Sequence, residues 1–183
     1  MLTKLESLQG DRWQRHTYPD RYAREQTSGP ARLRITASGG YAPLLLALAA
    51  ELQSPYKLLY VLHTPRGGSA AGRYESPALD GPDIEALFRE FGAFWSEDAR
   101  HDVWLYSGPD AATLVWDRHD VIYAYGPLGR YERVLAANGA RPGEPALPPS
   151  PHAHQYHPDW DNAERALVAR GWSVTPLQRA DEQ

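Results

Sequence analysis

The chain has 183 residues, 42% of them apolar, a net charge of -4 and no cysteine. That length fits one domain able to bury a core without disulfides, and the missing thiols exclude cysteine nucleophiles and thiolate metal sites. Charges of both signs interleave, so nucleic acid is not an expected partner, and the longest apolar run, Ala42 to Ala50, is too short to cross a bilayer.

The expectation is therefore a soluble, cytoplasmic chain, without a leader, forming a single domain over residues 1–183. Residues 1–30 read as a polar N-terminal arm. From here into the next element Arg12, Arg15, Arg21, Arg24, Arg32 and Arg34 interleave with Trp13, Tyr18 and Tyr22, a pattern able to hold single strands by phosphate contact and stacking. The plainer reading has Asp11, Asp20 and Glu25 pairing with these arginines while the aromatics pack inward.

Ala31 to Ala37 alternates, with Leu33 and Ile35 on one face and Arg32, Arg34 and Thr36 on the other, which predicts a half-buried strand. Pro43 followed by an all-round apolar run predicts a buried helix. Tyr56 to His63 reads as an interior strand, so strand, helix and strand here predict a parallel crossover unit. The stretch from Thr64 to Gly81 reads as a long loop.

A helix follows, with Pro82, Asp83 and Glu85 in its first turn and Ile84, Leu87, Phe88, Phe91 and Trp95 at helical spacing. Val103 and Leu105, Thr113 to Trp116, and Val121 to Tyr125 then predict a three-stranded antiparallel meander, joined by the turns 107–110 and 117–120. A short helix ends at Asn138-Gly139. Residues 140–151 form a Pro-rich linker to a last helix from about Asp159 to Arg170, and Trp172 to Leu177 offers a final strand. The fold class is α+β: a mixed, largely antiparallel sheet of about five strands, one β-α-β unit plus the meander, with helices packed against it.

Three constellations carry candidate chemistry. His152 to Asp161 reads H-A-H-Q-Y-H-P-D-W-D. In an extended segment His152 and His154 point the same way, and His157, Asp159 or Asp161 arrives from the adjoining turn, so these five are the candidate ligands of a divalent zinc, iron or manganese ion. The H-x-H-x-D-H pattern of metallo-β-lactamase-like enzymes is absent, since Tyr156 stands at its Asp. The plainer reading has the prolines holding the segment extended, with Asp159 or Asp161 capping the last helix.

The second constellation is the loop from His63 to Ser76, whose glycines can turn N–H groups toward an anion, with Arg66 and Arg73 as a clamp and Ser69 and Tyr74 beside them. It lacks both the Walker and the dinucleotide patterns, and a flexible surface loop is the plainer reading. The third lies in the meander turns, where His119 and Asp117 are the catalytic candidates, a general base oriented by a carboxylate, although no G-x-S-x-G elbow marks a nucleophile.

Six Trp and eleven Tyr exceed what such a core requires. Tyr123 and Tyr125 share one strand face and Ile122 and Ala124 the other, so one of these faces is a candidate contact surface. Two functions follow from different classes. One is a small non-catalytic interaction or ligand-binding protein whose partner is another protein, as in toxin neutralisation or regulation, or a small anionic ligand. The other is a metal-dependent hydrolase built on His152, His154 and His157.

Overall fold

The computed structural model describes residues 2–146, 148 and 150–181, the side chain of residue 180 aside. In chain order come strands β1 (Leu5–Gln9), β2 (Arg12–Arg15), β3 (Arg21–Glu25) and β4 (Arg32–Thr36), helix α1 (Tyr41–Ala49), strands β5 (Tyr56–Leu62) and β6 (Gly72–Glu75), and helix α2 (Gly81–Glu97). Then follow β7 (His101–Ser107), β8 (Ala112–Trp116), β9 (Ile122–Tyr125), α3 (Leu128–Ala137), β10 (Arg141–Pro142), β11 (His152–His154), α4 (Asp161–Val168) and β12 (Ser173–Thr175).

The class is α+β, but the main sheet has nine strands rather than about five, in the order β10-β3-β4-β9-β8-β7-β5-β6-β12, and a second sheet is ordered β11-β1-β2. The extra strands come from stretches read as arm, loop and linker. Residues 1–30 are not an irregular arm, since β1, β2 and β3 lie within them. The alternation there is muted because β2 is exposed along its whole length and is held by pairing with β1. Likewise β6 interrupts the loop from Thr64 to Gly81, and β10 opens the Pro-rich stretch by pairing with β3.

The meander forms as β7, β8 and β9. The expected crossover unit needs correcting. Antiparallel pairing from β4 through β9, β8 and β7 to β5 leaves β4 and β5 pointing the same way, yet not side by side. The meander, made later in the chain, occupies the space between them.

One face of the main sheet carries the core. Leu33, Ile35, Leu58, Tyr60, Leu105, Leu114, Trp116 and Ile122 are fully buried against residues of α1, α2 and α3. α1 contributes Leu44, Leu45 and Leu48, consistent with its all-round apolar sequence, and α2 contributes Ile84, Leu87, Phe88, Phe91 and Trp95. A capping box closes the N-terminus of α2: the Asp80 carboxylate accepts from Asp83 N–H at 2.9 Å and Asp83 accepts from Asp80 N–H at 3.0 Å. With α1, α2 and α3 on that face, the opposite face of β4, β9, β8 and β7 forms an open groove. Among the described residues no helix is long and apolar enough to cross a membrane.

Candidate functional site

The turn between β8 and β9 and the short strand β11 meet. β11 lies along β1 with His154 opposite Leu5 and His152 opposite Ser7, so both imidazoles leave the same face of the strand while Ala153 leaves the other. His119 projects from the turn toward them. The ring centroids of His119 and His154 are 4.8 Å apart, those of His119 and His152 5.5 Å, and those of His152 and His154 5.4 Å. One nitrogen from each ring lies within 4.8 Å of the others, a spacing that fits one metal ion.

Local structure explains why His119 stands there. The Asp117 carboxylate accepts N–H bonds from His119 at 2.9 Å and Val121 at 2.8 Å, closing the turn, and Asp120 takes the left-handed conformation, φ 59°, that completes it. The Tyr18 hydroxyl donates to the His119 carbonyl at 3.0 Å, and the ammonium of the buried Lys4 donates to the Asp117 carbonyl at 3.0 Å and pairs with Asp120 at 3.2 Å. The second Asp117 oxygen is 3.5 Å from His119 Nδ1. A carboxylate behind Nδ1 favours the tautomer that leaves Nε2 as a lone-pair donor.

Electrostatics keeps His154 neutral. Burial, then the neighbouring His119, Arg118 and His152, push His154 down to about 4, against the opposing pull of Asp117. His154 Nε2 is buried with no hydrogen-bond partner, as is Nε2 of the adjacent His16, whose pKa is lowered by burial and by His152. Neutral imidazole is the ligating form.

The other expected ligands go elsewhere. His157 donates Nε2–H to the Thr3 carbonyl at 2.8 Å and its backbone N–H to Asp98 at 2.7 Å. Asp161 pairs with Arg100 at 3.1 Å and Arg66 at 3.4 Å. Asp159 is exposed in a 3-10 turn, Pro158–Trp160. Neither acid caps α4, which has no side-chain cap. The five-residue ligand set therefore divides, and only His152 and His154 join His119.

The glycine loop does cradle an anion, and the anion is the chain's own Glu164. Its two carboxylate oxygens accept from Arg66 N–H at 3.0 Å and Gly67 N–H at 2.9 Å, and Arg100 donates to it at 2.7 Å. Although burial pushes the Glu164 carboxyl upward, these donors hold it below the ordinary range, with Ser69 adding to the effect. Arg100, Asp98 and Glu164 have no exposed side-chain surface, so this ion network is interior. Of the remaining loop residues, Arg73 pairs with Asp181 and lies over Trp104, and Tyr74 is buried with its hydroxyl on the Ala70 carbonyl. Arg66 and Arg73 do not converge on one clamp.

What sequence reasoning did not join together is the open face of the main sheet. It forms a groove of about 870 Å³. Asp117 and His119 line one end and Arg32, Arg34, Tyr123 and Tyr125 the other, where Thr113 lies beside Tyr125 and Val115 beside Tyr123. The register opposes Arg34 to Tyr123 and Arg32 to Tyr125. The Arg32 guanidinium lies 4.1 Å over the Tyr123 ring and donates to the Tyr125 hydroxyl at 2.8 Å. Glu25 holds both arginines, at 2.8 Å from Arg32 and 2.9 Å from Arg34 Nε. Burial, then the charge of Asp117, pushes the Tyr123 phenol up to about 12, so it stays a neutral donor. Two signals were present in the sequence: the arginines alternating with Leu33 and Ile35, and the paired tyrosines of β9.

No family model, curated protein or solved structure matches this chain. The geometry alone carries the functional reading.

Proposed function

We propose that the chain is a divalent-metal-dependent hydrolase whose metal is held by His119, His152 and His154. The observation that carries this is the convergence of three imidazoles from two distant segments, one of them backed by a carboxylate, at the end of a ligand-sized groove. Three protein ligands leave a coordination position for water, as hydrolytic metal sites require. Zinc, iron or manganese suits an all-imidazole donor set. Bound there, the ion would lower the pKa of a water ligand toward neutrality. Asp117 orients His119, and the groove holds the substrate beside it.

The test is turnover of a panel of carboxylic and phosphoric esters by protein loaded with each ion. Metal-dependent cleavage that falls at least about 100-fold in His154→Ala supports the proposal. Equal cleavage by chelator-treated protein contradicts it.

The groove by itself favours a second reading, a non-catalytic binding protein for a small anionic ligand or a protein partner, since its arginines and tyrosines need no metal to bind. Loaded protein that holds its ion and groove ligands but cleaves nothing would support that reading.

A further inference from the structure

The charges at the arginine end of the groove are nearly balanced by two acids of different standing. Glu25 is on β3, beside β4 in the same sheet, and is 23% exposed. Glu144 pairs with Arg34 from the extended stretch after β10, and its side chain is 76% exposed. An ion pair so exposed contributes little and exchanges readily. Without Glu144 the pair Arg32 and Arg34 faces Glu25 alone, one positive charge in excess, on a half-buried wall where an anion is attracted more strongly than in open water. The Glu144 carboxylate thus stands where the anionic group of a ligand would sit.

Beside that seat the groove is lined by Val115, Val121 and the Tyr123 ring, and its carboxylates Asp102 and Asp117 stand farther along, toward the histidine end. We propose that the groove binds an amphipathic aromatic anion, with its carboxylate or phosphate displacing Glu144 from Arg34 and its ring lying along Tyr123 and Val121. Tyr123 follows His119 by four residues, so the anion seat and the histidine cluster are on the order of 10 Å apart. A bound molecule of that length would present its far end to His119. This deepens the hydrolase reading by naming the substrate class. It is tested on metal-free protein, so that either idea can fail alone.

The experiment is calorimetric titration of chelator-treated full-length protein with 1-naphthyl phosphate, 1-naphthoate, 1-naphthol and inorganic phosphate. The expected result is that at least one naphthyl anion binds about tenfold or more tightly than both naphthol and inorganic phosphate. Whichever of the two binds more tightly identifies phosphate or carboxylate as the preferred head. Arg34→Gln should then lose about tenfold, and Glu144→Gln should gain about two- to fivefold. A gain of affinity at an exposed residue cannot come from misfolding. Naphthol binding as tightly as the anions, no binding by either anion, or a Glu144→Gln variant no tighter than the parent would overturn the proposal.

Discussion

The Asp117 carboxylate, 3.5 Å from His119 Nδ1, also closes the turn that carries that histidine, through the N–H groups of His119 and Val121. One residue thus sets both the position and the tautomer of the imidazole. Asp117→Asn keeps the shape and removes the charge. The expected outcome is metal affinity weakened by about 10- to 100-fold with the fold retained, read by competition against a chromogenic chelator.

The interior network around Arg100 makes a stability prediction. Asp98 and Glu164 are both fully covered and both bonded to Arg100, at 2.8 and 2.7 Å. Arg100→Ala would strand two buried carboxylates, at a cost of about 3–5 kcal/mol. Denaturant unfolding measures it, and a loss below about 1 kcal/mol would show that water reaches the network.

Gly67 has a steric role in the same network. A Cβ there would fall 2.7 Å from the Asp161 carbonyl oxygen and 2.9 Å from a Glu164 carboxylate oxygen. Gly67→Ala should therefore destabilise by about 1–3 kcal/mol, whereas alanine at Gly81, which has open space around it, should not. Comparing the two variants by thermal unfolding checks the claim.

Much of the fold was legible because one face of each long element is apolar. Leu33 and Ile35 against Arg32 and Arg34 give β4, and Ile84 to Trp95 gives α2. β2 was not legible from burial, since R-W-Q-R is wholly exposed, and β1 buries only Leu5 and Ser7, although Gly10-Asp11 between them is hairpin chemistry. In the site, the two-residue spacing of His152 and His154 revealed their shared face. His119 could not be joined to them by spacing, because 32 residues separate it from His152 and β11 belongs to the second sheet. His157 and Asp161 are near in sequence, yet the Thr3 carbonyl and the charge of Arg100 claim them instead.

Acid sensitivity follows from His101. It is fully buried beside Phe94 and Tyr60, and burial, then Lys4, Arg100 and His63, hold its pKa well below the ordinary 6.5. With the folded pKa below the unfolded one, the unfolded chain binds the proton more readily. Its contribution is complete above about 6.5 and falls as pH drops from there toward the folded value. Glu164 acts in a lower window, beneath its ordinary 4.5, because its folded pKa is also depressed. Urea midpoints should thus decline as pH falls from 6.5 to 4.5, with His154 and His16, also held below 6.5, adding to the slope, and His101→Leu should make that slope shallower without abolishing it.

The central claim is the metal centre, and elemental analysis by mass spectrometry of untagged protein, purified without chelator, tests it most directly. The expected result is close to stoichiometric zinc, iron or manganese, lost when His152 and His154 are both replaced by alanine while the protein stays folded. Protein that retains none of these ions after incubation with each and desalting, or a double variant that retains them fully, would contradict it.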